Sequence, residues 1–188
     1  MTAPALNLSS TDLSGTYAID AAHSRIGFVA RHAMVTKVRG SFNEFDGKAV
    51  LDFADPSQSS AEITIEVASI DTRQAQRDEH LRNNDFFDAP TFPHITFRST
   101  SVEKADEETF RLFGDLTIKD VTKPVTVDFE YQGAAKDPYG NVRLGFEGRT
   151  TINRSDYGVA FNAALETGGV LVSEKIALEF EISAVQGA

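Results

Sequence analysis

An antiparallel all-β barrel is the fold this sequence predicts, and three features predict it. Apolar residues recur at every second position through most of the chain. Short turn signals separate those runs, and the 14 phenylalanines, with no tryptophan, fall largely on the same alternating face. A long antiparallel sheet must curl or split, and closing it removes its exposed edges; a β-sandwich is the alternative.

The elements follow in order. Residues 1–14, MTAPALNLSSTDLS, have no basic start and no continuous apolar run, so they read as a short polar leader rather than a secretory signal. Residues 15–188 then read as one domain. Alternation appears at 26–32, 62–67, 94–99, 110–118 and 142–152. It is clearest in VTVDFEY, where Val125, Val127, Phe129 and Tyr131 share one face and Thr126, Asp128 and Glu130 the other. The last run sets Ile176, Leu178, Phe180 and Ile182 against Ala177, Glu179, Glu181 and Ser183. One wet face per strand favours antiparallel pairing.

Asp46-Gly47 and Gly140-Asn141 read as hairpin loops, Asp55-Pro56-Ser57 and Asp137-Pro138 as broader turns, and Gly168-Gly169 as a turn. Short connections make up-and-down order the simplest topology, with about nine strands. The one helical stretch is an insertion around 72–88. Asp71 or Thr72 would cap its first run, and Asn84 or Asp85 a second turn carrying Phe86 and Phe87 before Pro90.

Composition excludes several classes. A net charge of −10 repels phosphodiester backbones and anionic headgroups, and no basic amphipathic segment offsets it, so nucleic acid and peripheral membrane docking are disfavoured. No window reaches the roughly 18 apolar residues of a membrane-spanning helix, so stable insertion is not expected. Cysteine is absent, which rules out thiol chemistry and, with no signal visible, makes the cytoplasm the expected compartment; a signal removed beforehand would leave periplasmic or secreted placement open.

The stretch RDEHLRNNDFFDAPTFPHITF (77–97) holds the densest candidate chemistry. His23, His32, His80 and His94 match no compact metal spacing, so no metal site is expected. Asp78 and Glu79 are adjacent on a helix and point about 100° apart, and no nucleophile elbow or phosphate loop is present. A hydrolase using Asp78, His80 and His94 would need those side chains to converge on a pocket. Phe86 and Phe87 invite another reading: rings over an opening, or ordinary loop packing.

Four stretches then carry a resemblance: YAIDAAHSRIGFVARHAMVTKVRGSFNEFDG (17–47), ASIDTRQAQRDEHLRNNDFFDAPTFPHITFRST (68–100), FGDLTIKDVTKPVTVDFEYQG (113–133) and INRSDYGV (152–159). Together, in order from about Gly15 to Ala184, they resemble the YceI-like family of lipid-binding proteins. The resemblance implies an extended, lipocalin-like barrel holding a polyisoprenoid or other long-chain lipid, with no catalytic residues and no cofactor. Asp78, His80, Leu81, Phe86 and Phe87 match family positions in the insertion. The chain departs from the family at Arg73, where glycine is common, and at Lys119-Asp120, where histidine-glycine is.

On this reading the ligand would meet Phe28, Phe42, Ile65, Val67, Phe97, Leu112, Val127, Phe129, Leu144, Phe146 and Phe180, with Phe86 and Phe87 at an opening. A polar head would meet Arg98 or Arg154. Burying on the order of 16 carbons at roughly 0.8 kcal/mol each gives about 12 kcal/mol gross, enough without a charged anchor even after association costs of about 4 to 15 kcal/mol. A filled barrel acting as an interaction module, as a homodimer in one form, is the remaining alternative.

Overall fold

Successive side chains of a strand point to opposite faces, so RIGFVARH turns Ile26, Phe28 and Ala30 to one side and Arg25, Val29 and Arg31 to the other. The same rule builds the whole molecule. The computed structural model describes residues 10–165 and 169–187. A helical turn, α1 (Ser10–Leu13), precedes β1 (Gly15–Ile19), β2 (Arg25–His32), β3 (Thr36–Phe42), β4 (Phe45–Leu51), β5 (Ser60–Glu66) and β6 (Ile70–Asp71). Helix α2 (Ala75–Arg82) follows, then β7 (His94–Lys104), β8 (Thr109–Ile118), β9 (Val121–Lys136), β10 (Val142–Asn153) and β11 (Lys175–Gln186).

These segments form one antiparallel sheet that closes where β1 meets β11. β1 and β2 lie end to end along the same edge of β11: Ile19 faces Ala184, and Arg25 faces Glu181. β4 and β3 lie likewise along β1 and β2, and β5 and β6 along β4 and β3. Among the described residues, the eleven segments are therefore eight long strands in up-and-down order, three of them interrupted, not the nine or so that the alternation suggests. The interruptions fall at 20–24, 43–44 and 67–69. At the first, Asp20 accepts from the Ala22 amide at 3.1 Å and kinks the chain.

Two bulges reset the alternation. Between Ser99 and Ser101 the pairing of β7 with β8 slips, so Phe97 and Val102, of opposite parity, both reach the interior. Opposite Gly145 and Phe146, β9 skips Gln132, and Tyr131 and Ala134 both face the core.

Three sequence expectations need correction. Asp46-Gly47 is no loop; both lie inside β4, where a Cβ on Gly47 would stand 2.7 Å from the Glu62 carbonyl oxygen. Glycine is there for close strand approach. Helix α2 starts at Ala75 rather than after Asp71 or Thr72, because Arg73 is left-handed (φ 67°) and turns the chain away first. The second cap falls on Asn83, whose side chain accepts from the Asp85 amide at 2.9 Å, rather than on Asn84 or Asp85. The turns at 55–57 and 137–141 stand where expected. Gly169 is left-handed (φ 91°), as its turn reading requires, while Gly168 lies outside the described residues.

The barrel has two unlike ends. Connections 33–35, 72–93, 119–120 and 154–174 gather at the upper one. Connections 52–59, 105–108 and 137–141 gather at the lower one with α1.

Candidate functional site

The interior follows from the strand faces. Apolar side chains from all eight strands, from α2 and from the 154–174 connection surround a cavity of about 270 Å³ whose wall is almost wholly carbon. Phe28, Phe42, Ile65, Phe97, Leu112, Val127, Phe129, Phe146 and Phe180 all stand on that wall, as do Phe86 and Phe87 from the insertion. Val67 and Leu144 do not; each is 1% exposed and buried in packing beside the cavity.

The rings interlock rather than point freely. Phe28 and Phe42 approach to 5.7 Å between centroids, Phe42 meets Phe87 edge-on at 6.1 Å, and Phe129 and Phe180 lie 5.8 Å apart. The adjacent Phe86 and Phe87 diverge: Phe87 touches Phe42, while Phe86 is wedged between His80 and Phe161 at 5.0 and 5.1 Å. Such offset and edge-on pairs add roughly 0.5–1.5 kcal/mol each beyond burial. The insertion thus supplies two rings to the wall, Phe87 packed on a barrel strand and Phe86 anchored by His80 and Phe161.

The charged groups of the insertion are tethers. Asp78 is 7% exposed and accepts from both the amide and the hydroxyl of Thr72, at 2.8 and 2.5 Å. Arg77 donates to the Thr72 hydroxyl and carbonyl oxygens, each at 2.7 Å. Arg82 reaches the carbonyls of Ala68 and Ile70. His80 pairs with Asp85 at 2.8 Å and His94 with Glu66 at 2.9 Å. None of Asp78, His80 and His94 lies on the cavity wall, and each is engaged with a different partner, so the convergence a hydrolase requires does not occur. Among the described residues no group of three histidines or carboxylates could hold a metal ion.

The two candidate head-group arginines part company. Arg98 projects outside the barrel, 81% exposed and 3.7 Å from Glu62. Arg154 stands at the cavity's upper end, 5% exposed, where its guanidinium donates to the carbonyls of Ser173, Val159 and Phe161 at 2.8 Å and of Val172 at 3.4 Å. Burial pushes its pKa down, and nearby Glu174 opposes that shift. Its hydrogen bonds clip the two limbs of the 154–174 connection together.

Sequence reasoning missed the wall residues on interrupted strands and connections. Ile19, Leu51, Phe53, Tyr157, Val159 and Val172 all face the cavity. Leu51 carries a usable signal, since Phe45, Gly47, Ala49 and Leu51 alternate along β4, but Gly47 disguises the run as a turn.

Lys119 and Asp120 are both left-handed (φ 52° and 61°), the requirement of a tight two-residue hairpin. The Lys119 ammonium also donates to the Gly158 carbonyl at 3.2 Å.

Comparison with known proteins agrees with this geometry. The family model described as YceI-like domain matches residues 17–184. UPF0312 proteins of Staphylococcus aureus strains MSSA476 and USA300 are 42% identical over 169 residues, covering 89% of this chain and 95% of theirs. Among solved structures, Burkholderia cenocepacia BcnA superposes with a TM-score of 0.76 at 28% identity, over 88% of this chain and 98% of that one. The Campylobacter jejuni YceI protein gives 0.73 at 32%, over 84% and 90%. A polyisoprenoid binding domain from Saccharophagus degradans gives 0.69 at 15%, a likeness of fold, over 91% and 98%. With a matching family model across nearly all of the barrel and close relatives over the same span, this chain belongs to the YceI-like family.

Proposed function

We propose that the barrel binds a polyisoprenoid or similar long-chain amphiphile, for sequestration, storage or transport. One observation carries this: the cavity draws apolar side chains from the whole circumference and offers almost no polar surface. A site without fixed polar groups selects by length and girth, and one methylene shifts affinity by only about 1–3 kcal/mol. The Saccharophagus neighbour, named for polyisoprenoid binding, supports the same class of ligand.

At about 270 Å³ the cavity lies at the lower edge of the roughly 300–1,000 Å³ common for small-molecule sites. Longer chains therefore require a ring to yield, and Phe87 is carried by the insertion rather than by the barrel and, unlike Phe86, is not wedged between His80 and Phe161. Native mass spectrometry before and after organic extraction, followed by titration with prenyl alcohols of increasing length, tests the reading. A retained long-chain mass and saturable prenyl binding are expected, and Phe87→Ala should extend the accepted length. A protein that purifies empty and binds no prenyl lipid refutes it.

A further inference from the structure

The chain is acidic overall, but its cations are not scattered. Register places Arg31 opposite Lys37 and Val29 opposite Arg39 across β2 and β3. On the other side of β2, Ala177 of β11 faces Val29, and Glu179 faces Arg149 of β10. Arg31, Lys37, Arg39, Arg149 and Lys175 thus line one shallow hollow outside the barrel, with Glu179 as its one acid. Glu179 is shared by Arg25, Arg149 and Arg39 at 3.3, 3.5 and 3.9 Å. Among the described residues no carboxylate pairs with Arg31, Lys37 or Lys175. Four adjacent strands span roughly 15 Å, so five cations against one carboxylate leave a dense local excess of positive charge.

Directly above this hollow stands an apolar tip. Met34 is 60% exposed and Val35 75%, with Val170 beside them at 39%. The tip is held out rigidly: the Ala33 amide donates to the Leu171 carbonyl at 2.8 Å, His32 bridges Val172, and the Met34 sulfur packs over Gly169. Ala33 and Met34 are both left-handed (φ 50° and 65°), where glycine or asparagine would be cheaper. Met34 is thus an exposed apolar side chain kept in a left-handed conformation that does not favour it.

We propose that this end of the barrel docks on an anionic phospholipid surface. Met34, Val35 and Val170 would enter the boundary between headgroups and acyl chains, and Arg31, Lys37, Arg39 and Lys175 would meet the phosphates. A nucleic acid would satisfy the cations but leave the apolar tip in water; a phospholipid surface satisfies both. The net charge does not prevent it. The acids of the 52–59 and 105–108 connections lie at the other end, roughly 40 Å away along a twelve-residue strand, several screening lengths of about 8 Å. Nearer by, the insertion is close to balanced, with Arg73, Arg77 and Arg82 against Asp78, Glu79, Asp85 and Asp88, while Asp128 of β9, paired with Arg111, faces Arg149 across the register and Glu174 lies between Ser173 and Lys175 of the hollow. Docking would bring the cavity end lined by Phe28, Ala30 and Phe87 to the bilayer. The lipid-holding reading gives docking a purpose, but the vesicle binding itself does not depend on it.

Flotation with phosphatidylcholine vesicles, with and without phosphatidylglycerol, tests the proposal. The wild type should float with the anionic vesicles at low salt, stay behind with the neutral ones, and be released as salt rises. Each cation near the surface contributes roughly five-fold in partitioning, so Lys37→Glu with Lys175→Glu should lower it at least about 25-fold. Met34→Ser with Val35→Ser should lower it several-fold without changing the salt dependence. All four positions are exposed, so thermal melting should be unchanged. Absence of wild-type binding at low salt overturns the proposal. So does binding that survives the charge variants, and so does binding indifferent to the Met34 and Val35 changes, which would indicate a generic acidic partner. Native mass spectrometry on the same preparations separates the two readings: a protein that floats but never carries lipid refutes the cargo and leaves the docking.

Discussion

The two ends of the barrel are closed by different physics. At the lower end the strand residues Tyr17, Leu144 and Ala184 are buried with Tyr131 and Phe146 in a solid plug, backed by Leu13 of α1 and Phe53 of the 52–59 connection. The Tyr17 hydroxyl donates to the Leu13 carbonyl at 2.5 Å, and burial, with Tyr131 nearby, pushes its pKa up to about 12. At the upper end the closing pieces are appended segments, 72–93 and 154–174, tied down by Asp78, Arg77, Arg82 and Arg154. A plug built mainly on strand residues loosens chiefly with the barrel, whereas a segment held by side-chain tethers can open locally. Under the proposed lipid-binding function, the difference makes the upper end the expected route for ligand.

The largest expected effect breaks the lower end. Leu144→Ala should cost about 2–5 kcal/mol in chemical denaturation, because its neighbours are strand residues that relax little. Ligand release measured by fluorescence should stay near the wild-type rate; release as fast as in upper-end variants would abolish the asymmetry.

Asp78→Ala comes next, at about 1–3 kcal/mol, since it strands the amide and hydroxyl of Thr72. Hydrogen exchange should quicken across 72–93 while the lower-end strands stay protected, and ligand release should speed up. Uniform exchange would show that the insertion does not open by itself.

Acid should also weaken the lower end, through Asp137. Burial works to raise the Asp137 carboxyl, but hydrogen bonds from the Asn141 amide, the Arg143 guanidinium, the Asn141 side chain and the Tyr139 amide outweigh it and hold the pKa at about 2 against an ordinary 3.8. A depressed folded-state pKa stabilises fully above the unfolded value and loses that contribution as pH falls towards the folded one. Stability should therefore decline between about pH 3.8 and 2, and Asp137→Asn should flatten that decline in a melting series. An unchanged slope would remove Asp137 from the account.

Arg73→Gly has the smallest expected effect. It relieves a left-handed residue at the entry to the insertion but loosens the unfolded chain, for a net gain of about 0.5–1 kcal/mol. The melting temperature should rise slightly with no change in ligand release.

The regular strands were legible because alternation depends only on neighbouring residues. VTVDFEY reads the same in isolation as in β9, and the inward set of Phe28, Phe42, Phe97, Phe110, Phe129, Phe146 and Phe180 reaches the cavity wall intact. Legibility failed wherever a distant partner decided. Gly47 looks like a turn until Glu62 lies against it, and Asp78 looks like a catalytic acid until Thr72 folds back onto it. Val67 and Leu144 carry the right parity but fall where packing has already filled the barrel.

Sequence alone determined the strand periodicity, the family and the greasy interior, because local sterics and side-chain alternation act over a few residues. Only the tertiary structure decided where the charges gather. Arg31, Lys37, Arg149 and Lys175 are spread over 145 positions of an acidic chain, and none belongs to a basic run. Hydrogen-bonded register brings their strands side by side, and Coulomb forces act on distance in space rather than along the chain.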